Sequence, residues 1–212
     1  VEPVLELGFP ANYPGRAESY QTINEILSHE DKSNLFLLET EAFTNFRSEW
    51  FSKLLTHKLA KNNVYIMNRC RVSSITEIGE QLEVSIQGSE MNNNQILCDY
   101  VIDFSDSSFS IIGNSQHTYD YESSKIIKPE LSTRQYFVGI CLLTDSYDLQ
   151  NCEMKLQRND DLVEVWFVSG QQELPRQGWI ESKIVHAYYE SKLMLLEDYY
   201  SKANELVEKM VI

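Results

Sequence analysis

The 212-residue sequence contains no run of about eighteen apolar residues, which excludes a transmembrane helix. It has no basic-then-apolar leader pattern, and it begins with Val1 rather than Met, which suggests a piece excised from something longer. Its four cysteines, Cys70, Cys98, Cys141 and Cys152, form no C-x-x-C pair, and three of them sit in apolar strand patterns. That disfavours a zinc site or a disulfide framework and points to reduced, buried thiols in a cytoplasmic protein. Basic residues are few: 18 Lys and Arg against 32 Asp and Glu leave a net charge of −14. The scattered cations speak against a phosphate-tracking nucleic-acid surface, and the net negative charge would be repelled by anionic membranes. Glycine is scarce as well, at eight residues, and no G-x-G-x-x-G occurs, so a complete dinucleotide cradle of that kind is not encoded.

What the chain does have is a 42% apolar composition, enough to bury a real core in one large domain or two small ones. The most informative stretch is Cys98-Asp99-Tyr100-Val101-Ile102-Asp103-Phe104-Ser105-Asp106-Ser107-Ser108. Its apolar and β-branched residues predict a strand over 97–104, and the change to small polar residues at Ser105 marks a turn. Ligands of open α/β sheets sit at the carboxyl ends of strands, so 103–108 is the first place to look for a site; a plain surface turn is the alternative. Ahead of it, Phe46, Trp50, Phe51, Leu54, Leu55 and Leu59 form the apolar stripe of a helix over 47–62, capped by Thr44. Strands are expected at 64–67, 71–75 and 82–86, with an Asn-rich hairpin tip after Gln87.

This order resembles the middle of FAD-dependent oxidoreductases of the class A monooxygenase, lycopene cyclase and geranylgeranyl reductase type. The pieces that carry the resemblance are Arg47 with Leu54, Asn63-Val64-Tyr65-Ile66, Arg71-Val72-Ser73-Ser74-Ile75 and the 98–108 stretch, over roughly a third of the chain. Phe104-Ser105-Asp106 stands where those proteins carry Ala-x-Gly. The resemblance implies FAD as cofactor, without a complete motif here, and it implies Arg47, Asp103 and Ser105 as cofactor-binding residues. It further implies a small-molecule substrate and a nucleotide-binding segment or partner subunit supplied from elsewhere. Arg47 has a plainer alternative as a surface residue paired with Glu41 or Glu49.

In the first 40 residues, Pro3, Pro10 and Pro14 with Gly8 and Gly15 predict an extended, turning segment whose Tyr13 and Arg16 either line a pocket or merely connect. A helix is expected over 17–28, then a polar loop that includes His29, then a strand over 35–38. Residues 109–129 have poor periodicity and read as a lid or a crossing. Residues 134–143 are apolar on both faces, as in a central strand, and 152–157 and 162–168 flank hairpin chemistry at Arg158-Asn159-Asp160-Asp161. By the resemblance this antiparallel sheet floors a substrate cavity, with Tyr136, Val138, Trp166 and Val168 as walls; ordinary core is the alternative reading. Residues 182–211 predict a long amphipathic helix, broken or continuous, with His186 and Glu190 one turn apart but no third metal ligand.

The expected fold is therefore α+β: an antiparallel or mixed β-sheet with packed helices, like the substrate-binding part of FAD-linked reductases, ending in a long C-terminal helix. Residues 1–110 and 111–212 are expected as two portions, or as one continuous domain. Three functions compete. The chain is the substrate-binding portion of an FAD-dependent oxidoreductase acting on a small or apolar organic substrate, or a non-catalytic α+β binding or assembly module without the cofactor. The third, Mg²⁺ held by Asp99, Asp103 and Asp106, lacks a partner motif, and no metal is expected.

Overall fold

The computed structural model describes residues 11–88, 95–104 and 124–210. In chain order its elements are β1 (Arg16–Ala17), α1 (Tyr20–Ile26), α2 (His29–Lys32), a 3₁₀ turn (Ser33–Leu35), β2 (Leu38–Glu39), β3 (Thr44–Asn45) and α3 (Ser48–Lys61). There follow β4 (Cys70–Ile78), β5 (Gln81–Gly88), β6 (Gln95–Cys98), β7 (Val101–Ile102), β8 (Ile126–Ile127), β9 (Thr133–Leu142) and α4 (Leu143–Ser146). The last are β10 (Met154–Gln157), β11 (Leu162–Val168), β12 (Glu181–Glu190), β13 (Lys192–Leu193) and α5 (Leu196–Met210). The fold is α+β, with antiparallel sheets, packed helices and a C-terminal helix of 15 residues.

The main sheet has the order β10-β11-β9-β12-β13, all antiparallel. β9 is central as its two-sided apolar pattern predicts, and the Arg158–Asp161 turn joins β10 to β11 as a hairpin. Alternation divides its side chains between two cores. Tyr136, Val138, Leu156, Trp166, Val185, Ala187 and Leu193 fill one; Cys141, Leu149, Val163, Val165 and Phe167 fill the other. Gly139 sits in mid-strand because the Trp179 indole lies on it: a Cβ there would stand 2.4 Å from Trp179 Cε3.

A second sheet, β4-β5-β6, packs its own apolar face around Ile75, Leu82, Val84 and Ile86. The small sheet β1-β3-β2 lies beside β10, whose outer edge is satisfied by side chains rather than by another strand. Asn45 Nδ2 donates to the Gln157 carbonyl at 2.9 Å, and Arg16 Nη2 donates to the Lys155 carbonyl at 2.7 Å. Arg16 is itself held by Asn45 Oδ1 at 2.9 Å and stacks on the Phe43 ring.

Several sequence expectations change. The first part of the expected 182–211 helix is a strand: β12 pairs with β9 from Glu181↔Ile140 to Tyr188↔Thr133, and the helix begins only at Leu196. The apolar pairs Ile184-Val185 and Tyr188-Tyr189 satisfy a helical stripe, yet on the strand they divide between the two faces. The expected 97–104 strand is two strands. β6 ends at Cys98, opposite Leu82, because its partner β5 starts at Gln81, and the chain then leaves for a different, parallel pairing of β7 with β8. Residues 64–67 form no strand; Tyr65 is 89% exposed there. Residues 29–32 form a helical turn capped by the Ser28 hydroxyl instead of a loop, and a 3₁₀ turn with left-handed Phe36 (φ 50°) precedes the short β2. The helix over 47–62 is α3, but its N-cap is Arg47, with no side-chain cap, and Thr44 belongs to β3.

Candidate functional site

β7 and β8 are the parallel pair among the described strands, and their carboxyl ends open on a cleft of about 300 Å³. Its described lining is Asp103 and Phe104 after β7, residues 128–131 after β8, and Tyr188 from β12. The Asp103 backbone N–H closes the ladder on the Ile127 carbonyl at 2.9 Å, which fixes the carboxylate at the strand end. Lys128 Nζ lies 4.0 Å from Asp103 Oδ2. The cleft thus offers two carboxylates, Asp103 and Glu130, and one ammonium beside aromatic and aliphatic walls, a composition suited to a small organic molecule with a polar handle. Tyr188 extends inward through a ring contact with Tyr199 at 5.9 Å, and Tyr199 meets Tyr13 at 5.7 Å.

A second polar group of residues lies where α3 meets the main sheet. Glu164 projects from the middle of β11 into the first core and is 2% exposed; its Oε1 accepts a 2.6 Å hydrogen bond from Trp166 Nε1. Glu49 of α3 accepts a 2.6 Å hydrogen bond from Lys183 Nζ of β12. Glu49, Glu164 and Lys183, with Val138, Ile140, Glu181 and Ser182, surround a hollow of about 10 Å³, room for one water. Burial, then the charge of Glu49, pushes the Glu164 carboxyl above the ordinary carboxylate range. Burial pushes Glu49 up too, but the charge and hydrogen bond of Lys183 outweigh it and hold Glu49 below that range. Tyr13 donates to the Ser48 carbonyl at 3.0 Å and meets Ser52 Oγ at 2.8 Å, and burial drives its phenol far up.

Of the residues singled out from the sequence, Asp103 lines the cleft and Ser105 lies outside the described residues, as does Asp106. Arg47 is not among the cleft's lining. It is the N-cap residue of α3, its backbone N–H donates to the Leu35 carbonyl, and its Nε is buried without a hydrogen bond. The structure does bring the four sheet residues together: Trp166 pairs across to Val138 and Val168 to Tyr136, all on one face. Tyr136, Val138 and Trp166 are fully buried in the core, and the space beside Val138 is the one-water hollow. His186 and Glu190 are four residues apart on a strand, about 13 Å, and Glu190 pairs with Lys202 instead. Among the described residues no three His, Cys, Asp or Glu side chains gather as metal ligands.

Sequence reasoning missed Glu164, Lys183, Lys128 and Tyr188. A signal existed for the first: Glu164 is the one charged residue within Leu162-Val163-Glu164-Val165-Trp166-Phe167-Val168. A carboxyl in such a run has to be neutralised or paired once the strand is buried.

No protein-family model and no curated protein sequence matches the chain. Among solved structures, the fold is similar to OxyS, an anhydrotetracycline hydroxylase from Streptomyces rimosus, with TM-score 0.43, 10% identity and 89% of this chain covered. It is also similar to CabE, an aromatic hydroxylase from angucycline biosynthesis, with TM-score 0.46, 9% identity and 93% coverage. The chain spans 46% and 50% of those two chains, about half of each.

Proposed function

We propose that this chain is the substrate-binding portion of an FAD-dependent oxidoreductase, acting on a small or apolar organic molecule. The observation that carries this reading is the cleft at the carboxyl ends of β7 and β8, with Asp103 at the strand end and Lys128 opposite. In this reading a nucleotide-binding segment or partner subunit completes the cofactor site, to which Arg47, Asp103 and Ser105 contribute. The flavin supplies the redox chemistry, while this chain orients the substrate and excludes water. The sheet face of Tyr136, Val138, Trp166 and Val168 forms the apolar floor. The four unpaired thiols suit a reducing cytoplasm.

A second reading, a non-catalytic α+β binding or assembly module without cofactor, draws on a specific observation: the floor residues are packed solid, with only about 10 Å³ free beside Val138. One experiment separates the two. Purified chain is scanned from the near-ultraviolet to the blue and melted with and without added FAD. The oxidoreductase reading expects a co-purifying flavin band or an FAD-dependent rise in melting temperature that Asp103→Ala abolishes. A colourless protein whose melting ignores FAD supports the module.

A further inference from the structure

The hollow under α3 brings together two carboxyls, Glu49 and Glu164, of which, among the described residues, only Glu49 is ion-paired there. β9 separates β11 from β12, and the cross-strand register places Glu164, Ile140 and Glu181 in one row with Trp166, Val138 and Lys183 in the next. Glu164 and Lys183 therefore face the same side of the sheet, diagonally across β9, and Glu49 descends from α3 between them. The charged and titratable groups around Glu164 and Glu49 are Lys183 and Glu181 of β12, Tyr13 ahead of β1, Arg158 from the turn after β10, and Arg47 at the N-cap of α3, whose charge helps hold Glu49 down. Arg158 is ion-paired with Asp160, Nε to Oδ1 and Nη2 to Oδ2 at 3.2 Å each, and it acts on Glu164 by charge alone, its Nη1 being buried without a hydrogen bond. Lys183 is the cation in the described lining of the hollow, and it is held by Glu49.

We propose that Glu164 is a proton-operated latch for α3: neutral, it lets Glu49 stay docked on Lys183, and ionised, it repels Glu49 and frees the N-terminal half of α3 from the sheet. Among the described residues Glu164 accepts the Trp166 indole N–H and forms no ion pair, whereas Glu49 holds Lys183, so in a hollow with room for one water Glu164 is the carboxyl that carries a proton. The upward push on Glu164 and downward push on Glu49 assign that proton to Glu164. Deprotonation then places a second buried anion beside Glu49, and the cheapest relief is outward movement of the helix that carries Glu49. The movement would not unfold the β4-β5-β6 sheet, whose core is separate.

Hydrogen exchange of the full chain from pH 5 to pH 9, corrected for intrinsic exchange, tests the latch. In the wild type, protection of amides 52–55 falls about tenfold or more, the equivalent of one pKa unit, while β4 and β5 keep theirs. Glu164→Gln, which retains the acceptor for Trp166 Nε1, holds α3 protection constant across the range. A wild-type α3 whose protection does not change with pH overturns the proposal, as does an equal loss in Glu164→Gln or a loss shared by every element. Should that variant fail to fold, carboxyl ¹³C NMR of the wild type decides: a Glu164 that titrates in the ordinary carboxylate range overturns the latch, and a raised midpoint coincident with opening of α3 supports it.

Discussion

Glu49 and Lys183 meet at 2.6 Å although 134 residues separate them in the chain, and the contact joins α3 to β12. Both side chains are largely removed from solvent, at 14% and 22% exposure, so neither charge is hydrated well enough to stand alone. Lys183→Met is therefore expected to destabilise the chain by about 2 kcal/mol, the cost of a carboxylate left unpaired in a partly buried site. Adding Glu49→Leu should restore most of that loss. Urea denaturation of the two single variants and the double variant measures the coupling; purely additive losses would show that the pair contributes nothing.

Stability should narrow from both ends of the pH scale. Glu49 is depressed, so its contribution is present above the ordinary carboxylate range and is lost as pH falls through its lowered value. Burial, then the charge of Glu153, pushes the Tyr136 phenol from 10.0 up to about 12, so its contribution is present below 10 and is lost as pH rises toward 12. Thermal melts against pH should show the acid limb flattened in Glu49→Gln and the alkaline limb flattened in Tyr136→Phe. Limbs unchanged from wild type would show that other groups set both.

Gly139→Ala should cost about 1–3 kcal/mol, because the added methyl meets the indole of Trp179 and not open space. Trp179 also touches Phe137 and Phe167, at 5.5 and 6.1 Å between centroids, so its expulsion loosens the second core. A red-shifted tryptophan emission with a lowered melting point is the expected signature. Trp179→Ala in the Gly139→Ala background should add less than it does alone.

Asn45→Ala removes both the donor to Gln157 and the acceptor for Arg16 Nε, and about 1–2 kcal/mol should go with them. Asn45→Asp keeps the acceptor but loses the donor, so it should fall between wild type and Asn45→Ala in chemical denaturation.

How far the sequence reached depends on which residues carried the period. β9, β10 and β11 were legible because 134–143 is a strand-length run apolar on both faces and a polar turn at 158–161 separates the apolar hairpin strands. β12 was not, because Val185, Tyr188, Tyr189, Leu193 and Leu196 also fit a helical repeat. Its exposed Ile184, at 62%, hides the alternation that would have betrayed a strand. Asp103, which lines the cleft, could be singled out because a polar switch after an apolar run is visible locally. Its companions Lys128 and Tyr188 were not, because residues far apart in sequence meet only through the pairing of β7 with β8 and the position of β12. Glu164 and Lys183 come together by strand register, which composition does not encode.

The side-chain bridge from Asn45 and Arg16 to β10 also determines where this chain can be cut. Removing the first 45 residues would strip the Gln157 and Lys155 carbonyls of their donors and present a naked polymerisation front. Recombinant pieces beginning beyond that point should collect in inclusion bodies, whereas pieces retaining it should stay dispersed.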